Sequence, residues 1–446
     1  MNNDLIKRAL ATATDTREFR VGAGIIGQVA DLFSSNFPGC QALIVADETT
    51  WRVCGARVAA CLAEAGITCC RPHIFQASPR PTATFENMRA VREALAAAGD
   101  GVRAVAVGSG TVNDLCKRAS EELGRPYMCV ATAASVDGYA SFGAPITQDG
   151  FKKTWPCAAP KAILADADVL VPAPRELTAS GYADLAAKVP SGADWILADA
   201  VGADPIRDDV WATTQTPLRG WIADPAALAA GDPAAMNALF TGLAMTGFAM
   251  QTTHTSRPAS GAEHLYSHFW EMTDVRRSDG EHPSHGDKVG IGALATTFLL
   301  ERFFSEPFTR DQIDAAVAAY PAWDRREAFI RATLPSGRVA DEAVEASRQK
   351  HLDEAALRAR LEIIADRFDE LAQRVRAQLI PFPTFRKMLA AAGCPVTPAA
   401  IGATARDVVL ATYGAQMIRN RFTILDLAYE AGRLPAYAAA LPAAIA

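Results

Sequence analysis

Short apolar runs alternate with amphipathic stretches over roughly the first 170 residues, the pattern of a parallel sheet crossed by helices. Ala42-Leu-Ile-Val-Ala46 is an apolar run stopped by Asp47, and Trp51 to Ala65 then reads as a helix closed by Gly66, giving one strand-helix unit. Phe85 to Ala98 reads as a second helix ending at Gly99, followed by the strand Ala104-Val-Ala-Val107 and a glycine-rich turn, Gly108-Ser-Gly110. Tyr127 to Val130, Ala162 to Ala165 and Val169 to Val171 read as further strands. Pro172 and Pro174 then punctuate the chain and strand signals become scarce. From Glu176 onward the pattern is helical. Leu357, Leu361, Ile364, Phe368, Leu371 and Val375 recur at alternating spacings of four and three, which lays one apolar stripe along a helix. Such a stripe is read as core packing and not as chemistry. The predicted organisation is an α/β domain over 1–173 and an all-helical domain over 174–446.

Composition narrows the classes of function. The chain has 446 residues, 50% hydrophobic and 21% charged, enough for a large buried core and far from a disordered composition. A formal net charge of −6 leaves no general positive field to hold a nucleic acid or an anionic membrane, so small-molecule partners are expected. Nine cysteines without repeated spacing do not form a disulfide framework. No apolar run reaches the eighteen or so residues that span a bilayer, and the N-terminus has no secretion signal, so a cytoplasmic location is expected.

Four places carry candidate chemistry. The turn Gly108-Ser-Gly-Thr-Val-Asn-Asp114 follows a strand and opens a helix, so its backbone N–H groups can cradle a pyrophosphate, although such turns also serve as plain connections. Asp47, at a strand end, is of the type that binds an adenosine ribose or is simply solvated. Four of the seven histidines, His264, His268, His282 and His285, fall close together, with His264 and His268 on one helical face. Two imidazoles plus a carboxylate suffice for a catalytic divalent metal. Asp184 and Lys188 share a helical face, as a carboxylate source or as an i, i+4 ion pair.

Taken in order, Gly108–Asp114, Thr132-Ala-Ala-Ser-Val-Asp-Gly138, Ser180-Gly-Tyr-Ala-Asp184, Ser256-Arg-Pro-Ala-Ser-Gly-Ala-Glu-His264 and Ser284-His-Gly286 resemble the sn-glycerol-1-phosphate dehydrogenases. These are a branch of the superfamily of iron-containing alcohol dehydrogenases, glycerol dehydrogenases and dehydroquinate synthases. The resemblance runs from about Val21 to Gly432 and ends in Arg419-Asn-Arg-Phe-Thr-Ile-Leu-Asp426. It implies a dehydroquinate synthase-like architecture, a Rossmann-like domain followed by an all-helical one, with NAD or NADP and a divalent metal meeting in the cleft between them. Carried over by position, Asp184, His264 and His285 are the implied metal ligands. Asp137 and His268 are implied substrate and catalytic contacts, with Asp184 also near the substrate. Asp47, Gly108, Ser109, Gly110, Thr111, Asp114, Thr132, Ser135 and Ser141 are the implied nucleotide site. Ser109 interrupts the three-glycine run common in the family.

The implied reaction is reduction of dihydroxyacetone phosphate to sn-glycerol 1-phosphate, with a Lewis-acid metal polarising the oxygen. Zinc, nickel and ferrous iron suit the ligand set alike. Arg257 and Lys188 are the nearest cations in sequence for the substrate phosphate, or are structural ion pairs. Another polyol or sugar-phosphate dehydrogenase, a dehydroquinate synthase-like lyase and a catalytically silent ligand-binding protein are the alternatives. A homo-oligomer, dimer or larger, is expected. The stretch from about Phe303 to Leu379 exceeds what the family's core requires.

Overall fold

The computed structural model describes residues 3–148 and 151–446. The chain divides into two compact units, one of residues 1–185 and 212–256, the other of residues 186–211 and 257–446.

The first unit is built on a six-stranded sheet. Its strands are β1 (Glu18–Gly22), β2 (Gln41–Asp47), β3 (His73–Phe75), β4 (Val102–Gly108), β5 (Met128–Ala131) and β8 (Ala162–Asp166), in spatial order β1-β8-β5-β4-β2-β3. Every pairing within it is parallel. The central strands are buried along nearly their whole length, which is why they read as continuous apolar runs. β1 and β3 lie at the two edges; Glu-Phe-Arg-Val-Gly alternates polar with apolar and β3 has only 3 residues, so neither stands out by hydropathy. β6 (Ala144–Gln148) and β7 (Phe151–Trp155) form a separate antiparallel pair. The Pro233–Thr253 helix belongs to this unit. Phe240 stacks on Phe19 of β1 and Phe248 meets it edge-on, and buried Gln251 accepts from the amides of Asp15 and Thr16 while donating to the Ala140 carbonyl.

The expected strand at Val169–Val171 is a correction. Val169 and Leu170 close the short helix Ala167–Leu170, and Val171 follows it. Asp166 starts that helix by accepting from Asp168 N at 3.0 Å, and its carboxylate also takes the amides of Gly24 and Ile26. Burial accounts for the apolar run, and a short buried helix cannot be told from a strand by periodicity.

The described residues of the second unit contain helices and no strand. At its centre the Ala262–Met272 helix packs on the His285–Phe303 helix so closely that a Cβ on Gly292 would overlap the Glu263 carbonyl oxygen. Asp194, fully buried, ties two helix starts: one oxygen accepts from Ala262 N at 2.8 Å, the other from Ile424 N at 2.6 Å. Burial, with Glu263 beside it, pushes its carboxyl up to about 7. The apolar stripe from Leu357 to Val375 is core apart from half-buried Phe368, but it runs over two helices, Glu354–Asp366 and Phe368–Gln378, broken at Arg367. The long stretch after Phe303 is pinned to the Ile424–Glu430 helix by partly buried contacts, Lys350 with Asp426 and the Arg360 guanidinium donating to Glu430 Oε1, both at 2.6 Å. No helix among the described residues is long and apolar enough to cross a membrane.

Candidate active site

Because the sheet is parallel, β2, β4 and β5 all end at one edge, and β2 is flanked by β3 on one side and β4 on the other. This is the point where strand order reverses, the usual crevice for a ligand in open α/β sheets. Asp47, Gly108 and Thr132 leave the sheet there. Ser109 precedes the Gly110–Glu122 helix in extended conformation and gives it no side-chain cap. The first N–H groups of that helix therefore point past the strand end, as an anion cradle requires. Thr111 and Asp114 lie in its first turns. Asp47 acts as a helix cap, its Oδ1 accepting from Thr49 N and Thr50 N at 2.8 Å each.

Residues 132–143 pass beside this edge and are held by Lys117, which the sequence reading did not single out. Its ammonium is fully buried and donates to the carbonyls of Gly138, Ser141 and Gly143 at 2.9, 2.8 and 3.0 Å, with Asp114 Oδ1 at 3.8 Å. Burial lowers its pKa and Asp114 opposes the shift. Thr132, Ser135 and Ser141 are buried or nearly so in this segment. The Arg175–Ala186 helix sits directly on it: a Cβ on Gly181 would overlap the Ala134 carbonyl oxygen, and Ser180 Oγ donates to the Ser135 carbonyl at 3.1 Å. That close approach sets Asp184, fully buried, so that its Oδ2 accepts from Asp137 N at 2.9 Å.

Three of the four clustered histidines come together. Ring centroids of His264 and His285 are 5.3 Å apart, and His268 lies 6.3 and 6.5 Å from them. His282 does not join them; it is exposed, 3.5 Å from Asp274. His264 Nδ1 is 2.8 Å from Glu263 Oε1, while His285 Nδ1 is 3.7 Å from Glu271. His268 Nδ1 is buried with no hydrogen-bond partner among the described residues, and burial holds its pKa well below the ordinary histidine value. His264 and His285, both in the second unit, each offer an imidazole nitrogen, and Asp184 of the first unit offers a carboxylate. A carboxylate and two imidazoles are donor types that suit a divalent cation.

The two cations proposed for phosphate are both buried. Lys188 opens the Lys188–Ala200 helix. Arg257 donates to the carbonyls of Asp194 and Phe422 at 2.8 and 3.2 Å and lies 3.4 Å from Asp204, so it ties together three segments of its unit.

A family model for iron-containing alcohol dehydrogenases matches residues 20–174. A Bacillus licheniformis protein named glycerol-1-phosphate dehydrogenase (NAD(P)+) is 31% identical over 277 residues, 62% of this chain and 68% of the relative. The chain belongs to the glycerol-1-phosphate dehydrogenase family of iron-containing alcohol dehydrogenases. A family member of the same name from Halalkalibacterium halodurans is 36% identical over 256 residues, 57% of this chain and 64% of the relative, so that match spans less than two thirds of the relative's length. The fold is similar to the crystal structure of an iron-containing alcohol dehydrogenase from Corynebacterium glutamicum, with a TM-score of 0.58 and 15% identity over 96% of this chain and 98% of that one. Within the family frame, Lys117, Glu263 and Asp194 are additions to the residues that sequence motifs suggest. Lys117 follows just after the glycine turn, and Glu263 stands inside the Ser256–His264 motif without having been singled out there.

Proposed function

We propose that this protein is a metal-dependent, NAD(P)-linked glycerol-1-phosphate dehydrogenase that reduces dihydroxyacetone phosphate to sn-glycerol 1-phosphate. The observation that carries the reading is the pairing of His264 and His285, ring centroids 5.3 Å apart, in a chain of this family, with Asp184 as the carboxylate that completes the ligand set. These three residues would hold one divalent ion, with zinc, nickel and ferrous iron equally suited to the donors. When bound, the nicotinamide supplies the hydride and the divalent ion the electrophile that takes up negative charge on the carbonyl oxygen.

The chain's own residues bind and orient. The open N-terminus of the Gly110–Glu122 helix receives the pyrophosphate, with Gly108, Ser109, Thr111 and Asp114 around it and Thr132, Ser135 and Ser141 on the neighbouring segment. Asp47 stands at the strand end that takes the adenosine ribose. The Asp137 amide holds one oxygen of Asp184 in place, and the Asp137 side chain contacts the substrate. His268 Nδ1, buried with no hydrogen-bond partner among the described residues, is the atom at which a proton is held or moved. Lys188 is assigned to the substrate phosphate, and Arg257 positions the segment before His264. The test is oxidation of NADH and NADPH by chelator-treated protein offered dihydroxyacetone phosphate, before and after zinc, nickel or ferrous iron is restored. Turnover only with metal is expected; turnover indifferent to chelation, or confined to unphosphorylated dihydroxyacetone, overturns the proposal.

A further inference from the structure

We infer that Glu263 is a positioning residue for the metal site, its carboxylate fixing the ring orientation and tautomer of His264. The inference rests on the reading of His264 as a metal ligand. Adjacent residues of a helix ordinarily point in different directions and do not interact. Here the pair opens the Ala262–Met272 helix, where the Gly261 N–H lies outside the helical ladder. Glu263 folds back over the helix start, and one oxygen, Oε1, serves two groups: Gly261 N at 2.7 Å and His264 Nδ1 at 2.8 Å. A carboxylate accepts only, so Nδ1 carries the ring proton and a metal is met through Nε2.

The side chain has no room to leave this arrangement. Glu263 is fully buried, and its backbone is wedged against Gly292 of the His285–Phe303 helix. Its second oxygen, Oε2, is buried and has no hydrogen-bond partner among the described residues. The guanidiniums of Arg257 and Arg421 act on this charge from a distance, yet an oxygen without a hydrogen bond in the interior remains costly. A cation on the far side of the His264 ring offsets that cost, because the ring proton then becomes a stronger donor to the same carboxylate. The Nδ1 proton, the single doubly used oxygen and the bare second oxygen all follow from one function, orienting a ligand.

The experiment titrates cobalt(II) into chelator-stripped full-length protein, reading affinity by competition with a chelating indicator and site geometry by the cobalt absorption bands. Loss of the outer partner of a metal-bound histidine costs about 10–100-fold in affinity. Glu263→Ala is expected to show that loss together with altered bands, at unchanged circular dichroism. Glu263→Gln keeps one oxygen able to accept both hydrogen bonds and is expected to recover most of the affinity and the bands. Independently of any variant, nitrogen NMR of histidine-labelled metal-free wild type is expected to find the His264 proton on Nδ1. A folded Glu263→Ala with wild-type affinity and bands, or a His264 ring protonated on Nε2, overturns the role of Glu263 and leaves the metal reading standing. Wild-type protein that takes up no cobalt overturns both.

Discussion

The ammonium of Lys117 lies 2.8 Å from the carbonyl oxygen of Ser141, the shortest of three bonds by which one buried side chain closes the 138–143 turn. The helix that opens under the expected pyrophosphate site thus also holds the segment carrying Ser141 and, next to it, Asp137. Lys117→Met would remove the cation and leave three carbonyls facing a methyl group. Breaking a buried charged network from one side costs about 3 kcal/mol or more. Urea denaturation is expected to show a loss of that order, and a midpoint equal to wild type would contradict the role given to Lys117.

Gly110 is the first residue of its helix, and a Cβ there would lie 3.1 Å from Val136 Cγ2. A branched side chain at this point crowds Val136 and stands over the open N–H groups. Gly110→Val is expected to weaken NADH binding about tenfold or more, at about 1.4 kcal/mol per tenfold, while metal content stays stoichiometric. A fluorescence titration of the folded variant decides this; unchanged NADH affinity would remove the helix start from the nucleotide site.

The histidine cluster separates into members that meet and one that does not. His264→Ala and His285→Ala are each expected to abolish metal retention and turnover together. His282→Ala, at an exposed position beside Asp274, is expected to leave both intact. Metal analysis of the purified variants is the measurement, and full metal in either of the first two would exclude that residue from the ligand set.

Burial pushes the Glu430 carboxyl from its ordinary 4.5 up to about 8, with Asp426 adding to the rise and Arg360 and Lys350 opposing it. The sign follows from proton counts. Between those two values the folded state holds a proton that the unfolded chain has released, so stability from this group is greatest below 4.5 and falls as pH rises toward 8. Glu430→Gln is expected to flatten that part of the stability profile relative to wild type. Urea midpoints measured from pH 5 to pH 8 test it, and parallel profiles for the two proteins would contradict the assignment.

The central strands were legible because each is buried on both faces and so reads as a continuous apolar run. The edge strands were not, since β1 alternates and β3 is too short to show a period. The apolar stripe from Leu357 to Val375 was visible as core, yet the break at Arg367 was not, because the alternating spacing continues across the interruption. Sequence order brought Asp184, His264 and His285 to notice, whereas Lys117 reads as one more polar position on an amphipathic helix. Only the return of residues 138–143 over it shows the ammonium buried. Glu263 was hidden for a local reason: helix geometry predicts no contact between neighbours, and the exception arises at the helix start alone.

The central claim is that a phosphorylated triose is the substrate, and the direct measurement is kcat/KM for dihydroxyacetone phosphate divided by that for dihydroxyacetone, with chiral analysis of the product. Hydrogen bonds to a charged group contribute roughly 1.5–3 kcal/mol each. Two such contacts to the phosphate give a ratio on the order of a hundred or more, at about 1.4 kcal/mol per tenfold. The account predicts that ratio and sn-glycerol 1-phosphate as the product; a ratio near one, or sn-glycerol 3-phosphate as the product, would contradict it.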